Sequence, residues 1–220
     1  MSQDAFMPRF EDLPEVLPIF PLPRAVLLPR QCLPLNIFEP RYLNMIFDAL
    51  AADRQIGMIQ PNAATGDEDP VPLYSVGCAG RINAFQETAD GRLLINLTGV
   101  CRFEVAQEVE LRNGYRRIRP RWAAYEADMQ TPVGPPIRVE HLEATIKAFF
   151  DANEIQADWD GLKKLSSASL VDFLSTKLPF AVEEKQALVE APTVVERTEI
   201  LKAALEMGLT SGVPTDQTRH

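Results

Sequence analysis

Proline spacing between Leu17 and Leu50 constrains this chain more than any other feature. Pro18, Pro21, Pro23, Pro29, Pro34 and Pro40 punctuate LPIFPLPRAVLLPRQCLPLNIFEPRYLNMIFDAL, the densest apolar stretch of the 220 residues. Each proline fixes φ and removes a backbone donor, so no helix runs through residues 17–38. Short extended pieces joined by tight turns are expected there. After Pro40 the period changes. Leu43, Ile46, Phe47 and Leu50 recur at i, i+3, i+4 and i+7, one face of a helix, and Pro40 falls in the first helical turn, where its missing N–H costs nothing. The stretch therefore reads strand, kinked turn, strand, helix. Glu39 is placed to cap the helix and Arg41 to pair with a neighbouring strand.

Two hairpin signals follow. Residues 55–60 read as a short strand. Residues 61–72 read as a loop, because three prolines, Gly66 and the acids Asp67, Glu68 and Asp69 exclude regular structure. That loop is either a solvated excursion or the rim of a binding site. Residues 76–88 and 92–100 are strand-like and flank Asp90-Gly91. A two-residue loop pairs Ile95 with Gln86, and one more loop residue pairs it with Phe85, so the register stays open. Asn113-Gly114, as a two-residue loop, sets Glu110 opposite Arg117, Glu108 opposite Arg119, Val109 opposite Ile118 and Val105 opposite Trp122. Charge then lines one face and apolar side chains the other. Pro120 interrupts that ladder and marks an edge or a bulge.

Residues 128–136 read as a linker, and beyond them the period is helical. Leu142, Ile146, Phe149 and Phe150 share a face. Ser166 or Ser167 caps a helix bearing Leu170, Phe173 and Leu174. A third helix over 182–190 is stopped by Pro192. Thr193 and Glu196 form a capping box for the last helix, expected to reach about Met207 and to end at Gly208. The expected class is α+β: a mostly antiparallel, barrel-like β unit with one helix over residues 14–127, then an α-helical bundle over 137–210. Residues 1–13 read as a flexible leader and 211–220 as a tail.

Several segments together resemble a known family. PLPRAVLLPRQCLPLNIFEPRYLNMI matches the "P-L, V-L-F/L-P, P-L-x-I-F-E-x-R-Y" opening of the Lon N-terminal domain, the substrate-recognition domain of the ATP-dependent Lon proteases. YSVGCAGRINAFQETADGRLLINLTGVCRF is similar to the same family's "VG-x-x-x-x-I, D-G, G-x-x-R-F" run. EEKQALVEAPTVVERTEILKAAL resembles its closing "K-Q-x-L-L-E, R-x-x-x-L" segment. The resemblance covers most of the chain. It implies a PUA-like pseudobarrel for the β unit and a role in recognition alone. The chain carries no G-x-x-x-x-G-K-[ST] loop and ends at His220, before an ATPase or Ser–Lys protease module begins. A stand-alone, non-catalytic member is therefore expected, with an adaptor role in proteolysis as one form of it.

Composition narrows the function classes. The net charge of −9 repels phosphate backbones, so nucleic acid is a poor partner. No apolar run approaches the ~20 residues of a membrane span, and the N-terminus lacks a secretory signal. Three cysteines without a CxxC fit a reducing cytoplasm, and Cys32, Cys78 and Cys101 sit among apolar neighbours as core residues rather than metal or redox groups. Of the two histidines, His141 lies in a helix's first turn with nothing to orient it, and His220 is terminal, so neither builds a nucleophile–base pair. No cofactor or metal is expected. Arg112, Arg116, Arg117, Arg119 and Arg121 form one basic cluster, read as partnered by strand carboxylates.

Exposed apolar residues remain. Pro21, Leu22 and Pro23 form a rigid turn that folds inward with difficulty, and Leu73 and Tyr74 follow the acidic loop. These five are the candidate contact site for peptides or unfolded protein segments, with a protease or chaperone as further partner. The alternatives are a small-molecule or nucleic-acid reader on the same PUA-like barrel, and a hydrolase.

Overall fold

The structure, a computed structural model, describes residues 6–62, 70–130 and 140–211. The chain divides into two compact units, Met1–Pro132 and Val133–His220. The first is built on β1 (Leu17–Pro21), β2 (Cys32–Ile37), α1 (Pro40–Leu50), β3 (Gln55–Ile59), β4 (Val76–Glu87), β5 (Leu93–Arg112) and β6 (Tyr115–Arg121). The sheet order is β2-β5-β4-β3-β1-β6, and β6 also pairs with β5. Five strands therefore close into a ring and β2 hangs outside it. Closure is possible because β5 is one 20-residue strand. Its first half pairs with β4 and β2, and its second half with β6. All pairings are antiparallel except β1 with β3, which the β2–α1 excursion makes parallel. The architecture is α+β, with a barrel-like mixed sheet.

The proline reading of residues 17–50 holds, with Pro40 at the start of α1. The buried face of that helix is turned partly from the expected one: Ile46 is buried and Leu43 and Leu50 pack half-buried on the same core. Tyr42, Met45, Ile46 and Ala49 are buried, and Phe47 is 51% exposed. Both sets have helical spacing. Tyr42 wins a place inside because it packs on Phe20 at 4.3 Å between ring centroids. Glu39 makes no side-chain cap bond; instead Arg41 donates to Glu39 Oε2 at 2.8 and 3.0 Å, and not to a neighbouring strand.

The β4–β5 loop takes the longer option, with Phe85 opposite Ile95 and Glu87 opposite Leu93. Gly91, at φ +80°, supplies the left-handed residue such a loop needs. The β5–β6 turn begins as expected, with Arg112 opposite Tyr115, and then loses the expected register. Two irregularities shift it by one residue each, so Glu108 faces Ile118, Val109 faces Arg117 and Val105 faces Pro120. The second shift falls at Pro120, which has no N–H to give the ladder. Ion pairs re-sort accordingly: Arg116 binds Glu108, Arg121 reaches Glu104 and Arg112 reaches Asp48, while Arg117 donates to the Glu110 carbonyl. The Glu108–Arg119 and Glu110–Arg117 side-chain pairs do not form.

Two hydrophobic clusters lie on opposite faces of β1, β3 and β4, as the alternation of Ile19/Phe20, Ile59/Met58 and Ala79/Cys78 requires. Cys78 and Cys101 are buried, but Cys32 is exposed because its strand is the one outside the ring. Residues 10–12 form a 3-10 turn with Arg9 bound to Asp12, and Leu13 is buried. Residues 1–5 of the expected leader, 63–69 of the acidic loop and 131–136 of the linker lie outside the described residues. After β6 a 3-10 segment, Ala123–Met129, packs on β5.

The second unit holds α2 (Glu140–Ala152), α3 (Trp159–Leu162), α4 (Ser167–Lys177), α5 (Val182–Glu190) and α6 (Val194–Ser211). Leu142, Ile146, Phe149 and Phe150 are buried together, as their spacing predicts. Ser166 is the cap of α4, accepting from the Ser169 N–H at 3.2 Å, and Thr193 Oγ1 accepts from the Glu196 N–H at 3.2 Å. The short α3 has no counterpart in the sequence reading. Gly208 does not end α6. It lies within the helix, where a Cβ would stand 2.5 Å from Phe149 Cε2, so its role is to admit that ring. Two buried cations tie the helices: Lys185 donates to the Thr176 carbonyl, and Arg197 to the Leu188 carbonyl and Asp172. Each places a positive charge near the C-terminal end of the preceding helix. The expected tail beyond Ser211 lies outside the described residues.

Candidate functional site

The motifs most specific in the sequence turn out to build the barrel. A Cβ on Gly99 would lie 2.0 Å from the Leu28 carbonyl oxygen, so the backbone there approaches too closely for any side chain. One on Gly77 would meet Met58 O at 2.5 Å and Phe103 Cζ at 2.6 Å. Arg102 is buried and bidentate to Asp128, Nε to Oδ2 and Nη2 to Oδ1 at 2.9 Å each, with its guanidinium 4.4 Å above the Tyr125 ring. The pair fastens the 3-10 segment to β5. Arg41 stacks 4.7 Å over Tyr42. These residues hold structure.

The two buried thiols are not set up as nucleophiles either. Burial pushes the Cys78 thiol well up and the Cys101 thiol to about 12, which keeps both protonated and poorly nucleophilic. The His141 side chain and His220 lie outside the described residues. Among the described residues no group of His, Cys, Asp and Glu could hold a metal ion, and no helix is long and apolar enough to cross a membrane.

The five candidate contact residues come to one end of β3. On one side the Leu22 N–H donates to the Ile59 carbonyl at 3.0 Å, and on the other the Tyr74 N–H donates to the Gln60 carbonyl at 3.1 Å. Pro61 and Leu73 form a single antiparallel bridge, and the Asn62 N–H bonds Pro72 O at 2.7 Å, which closes the neck of the acidic loop. Arg24, left-handed at φ 61°, turns the chain away after Pro23, its N–H bonded to Gln60 Oε1 at 2.9 Å. The five do not share one face. Leu22 packs against the Phe20 cluster and Leu73 against the Ile19–Ile59 cluster, so they flank the sheet end from opposite sides. Pro21, Leu22, Leu73 and Tyr74 are half-buried and Pro23 is exposed. Val71, 41% exposed, extends this rim and is tied to β6 by an Arg116 bond to its carbonyl at 2.7 Å. Its place in a loop gave no periodic signal by which sequence reasoning could have found it.

A second concavity lies in the helical unit, a cavity of about 270 Å³ lined by Ile146, Trp159, Leu162 and Leu170, with Glu143 and Lys163 also in its wall. Trp159 sits 5.3 Å from Phe150, so most of this lining is continuous with the helical core.

The described residues thus form a closed β unit with an apolar rim and a small helical unit. Comparison with known proteins names the family. The substrate-binding domain of the ATP-dependent protease La (LON) matches residues 16–206, and the chain belongs to that family. The Lon protease of Dictyoglomus thermophilum is 24% identical over 196 residues, covering 86% of this chain and 24% of that protein. The Lon protease of Flavobacterium johnsoniae is 28% identical over 191 residues, 85% of this chain and 23% of the relative. The chain thus spans about a quarter of the length of these relatives. Among solved structures, a Lon N-terminal domain protein from Xanthomonas campestris aligns with a TM-score of 0.59 at 24% identity, covering 86% of this chain and 97% of that one. The N-terminal domain of the Mycobacterium avium complex Lon protease gives a TM-score of 0.59 at 16% identity, covering 87% and 98%. The fold is that of Lon N-terminal domains.

Proposed function

We propose that this chain recognises unfolded or peptide-like protein segments without chemistry of its own, and that the rim at the end of β3 makes the contact. Membership of a substrate-binding family supports the role. The observation that carries the site is the convergence of Pro21, Leu22, Pro23, Val71, Leu73 and Tyr74 on one sheet end, half-exposed on both faces and held by backbone bonds to residues 59–62. Rigid apolar groups bind an unfolded chain with little ordering cost on the protein's side. Delivery of the captured segment to a protease or chaperone is the adaptor form of this role.

Fluorescence anisotropy with a labelled, reduced and carboxymethylated protein as permanently unfolded client tests the reading. The 220-residue chain should bind the unfolded client and ignore the same protein in its native form. Val71→Ser with Pro23→Ser, both exposed positions, should weaken binding several-fold and leave the melting temperature within a degree or two. Equal affinity for native and unfolded client would overturn the reading, and full-strength binding by the double variant would move the site elsewhere.

A further inference from the structure

We propose that the cavity of the helical unit takes one large apolar side chain of an unfolded client, Phe, Leu or Met, with an acidic residue beside it held by Lys163. This rests on the recognition role above and gives the helical unit a share in it. Three helices and a turn build the cavity. Ile146 comes from α2, Trp159 and Leu162 from α3, Leu170 from α4, and Leu165 from the turn between α3 and α4. Backbone bonds fix that turn. The Lys163 N–H donates to Trp159 O at 3.0 Å, the Leu165 N–H donates to Leu162 O at 3.1 Å, and Ser166 caps α4. The walls are therefore set before a ligand arrives, and little ordering is lost on binding.

The lining is apolar surface that the fold leaves partly uncovered. Ile146 is buried, but Trp159, Leu162 and Leu170 are only half-buried against the helical core, and Leu165, 38% exposed, lies outside that cluster. A volume of about 270 Å³ falls just under the roughly 300–1,000 Å³ of sites that enclose a whole drug-sized molecule, and it suits a single large side chain. Charge sets what stands next to that side chain. Glu143, in the wall, is already bound by Lys147 at 3.0 Å. Lys163, also in the wall, enters no ion pair among the described residues, and Lys164 follows it in the exposed turn. The acids of the neighbouring segment do not answer it. Asp158 accepts from the Gly161 N–H at 3.0 Å, and Asp160 is outside the wall. In a chain of net charge −9, such a lysine at the mouth of an apolar cavity favours a carboxylate on the partner.

Trp159 lies in the wall and reports occupancy. In the 220-residue chain with Trp122→Phe, a blocked glycine–serine peptide carrying one Phe–Asp pair should shift Trp159 emission saturably. A Phe–Lys peptide should bind about five-fold more weakly, the scale of an exposed charge contact, and a Ser–Asp peptide should give no shift. Lys163→Glu should reverse the order of the first two peptides, and Leu165→Ser should weaken both several-fold. Both positions are exposed, so the melting temperature should hold within a degree or two. No shift with the Phe–Asp peptide, or an order of peptides unchanged in Lys163→Glu, overturns the proposal. So does a Trp159 shift that follows protein concentration without peptide, together with a dimer in sedimentation; the cavity would then belong to a second copy. An unfolded client that binds while Trp159 stays silent leaves the recognition role standing and the cavity excluded. A parent chain that binds no client overturns both.

Discussion

Tyr115 donates its phenolic hydrogen to Asp48 Oδ2 over 2.7 Å, which ties the β5–β6 turn to α1. Asn113 Nδ2 reaches the same oxygen at 2.9 Å and Arg112 Nε lies 3.2 Å away, so one carboxylate gathers three donors from the turn. Tyr115 is buried, and burial with the Asp48 charge raises its pKa to about 12.

These donors hold Asp48 below its ordinary 3.8, the Tyr115 bond first. The unfolded chain then takes up a proton before the folded one does. The contribution is present above the ordinary carboxylate pKa and is lost as pH falls through the lower folded value. Tyr115→Phe should cost about 1–2 kcal/mol in urea unfolding at pH 7. Asp48→Asn should flatten the stability loss between about pH 4 and pH 2. An acid limb identical to that of the parent would show that the carboxylate is not the anchor.

Lys185 is shifted in the same direction, but here it is the charged form that the fold disfavours. Its ammonium is buried in the helical unit, with the Thr176 carbonyl as acceptor and Lys177 repelling it, and its pKa falls to about 8 from 10.5, chiefly through burial. Between those values the unfolded chain holds more protons, so stability of this unit should rise with pH from about 8 to 10.5. The two tryptophans separate the units, Trp122 in the first and Trp159 in the second. In a Trp122→Phe background, Trp159 fluorescence should report an unfolding midpoint that climbs between pH 7.5 and 9.5. Lys185→Met should abolish the climb.

Arg102 and Asp128 should be costly to separate. Either Arg102→Met or Asp128→Ala leaves one buried charge alone, a loss of about 3–5 kcal/mol. In a Trp159→Phe background, Trp122 reads the first unit, its ring packed edge-on to Phe103 at 5.9 Å. The double variant should lose less than the sum of the singles, because no charge is then orphaned. Additive losses would argue against a coupled pair.

The 220-residue chain should not degrade casein, with or without ATP. It carries no phosphate-binding glycine loop, and its two buried cysteines are held protonated. ATP-stimulated release of casein fragments by protein free of contaminating protease would refute this.

Local chemistry determined what short segments do. Pro40 opens α1, Ser166 and Thr193 cap α4 and α6, Pro192 follows α5, and Leu142 to Phe150 face inward, because each depends on backbone groups or spacing within one or two turns. The Gly77, Gly99 and Arg102 motifs carried the family for the same reason: a clash or a buried charge is written at a single position. Outcomes that depend on distant partners were decided only by the tertiary structure. Tyr42 and Phe47 lie on different sides of α1, and Phe20, from β1, settles which side turns inward. The β5–β6 register slips twice beyond the turn, once beside Pro120, so the turn alone does not fix it. Gly208 reads as a helix stop until Phe149 is placed against it. The rim residues could be named from the sequence, yet their division between two cores, Leu22 on one and Leu73 on the other, is set only by the fold. The place of β2 outside the ring was not legible at all, since whether a strand lies inside or outside a ring is a property of the ring and not of the strand.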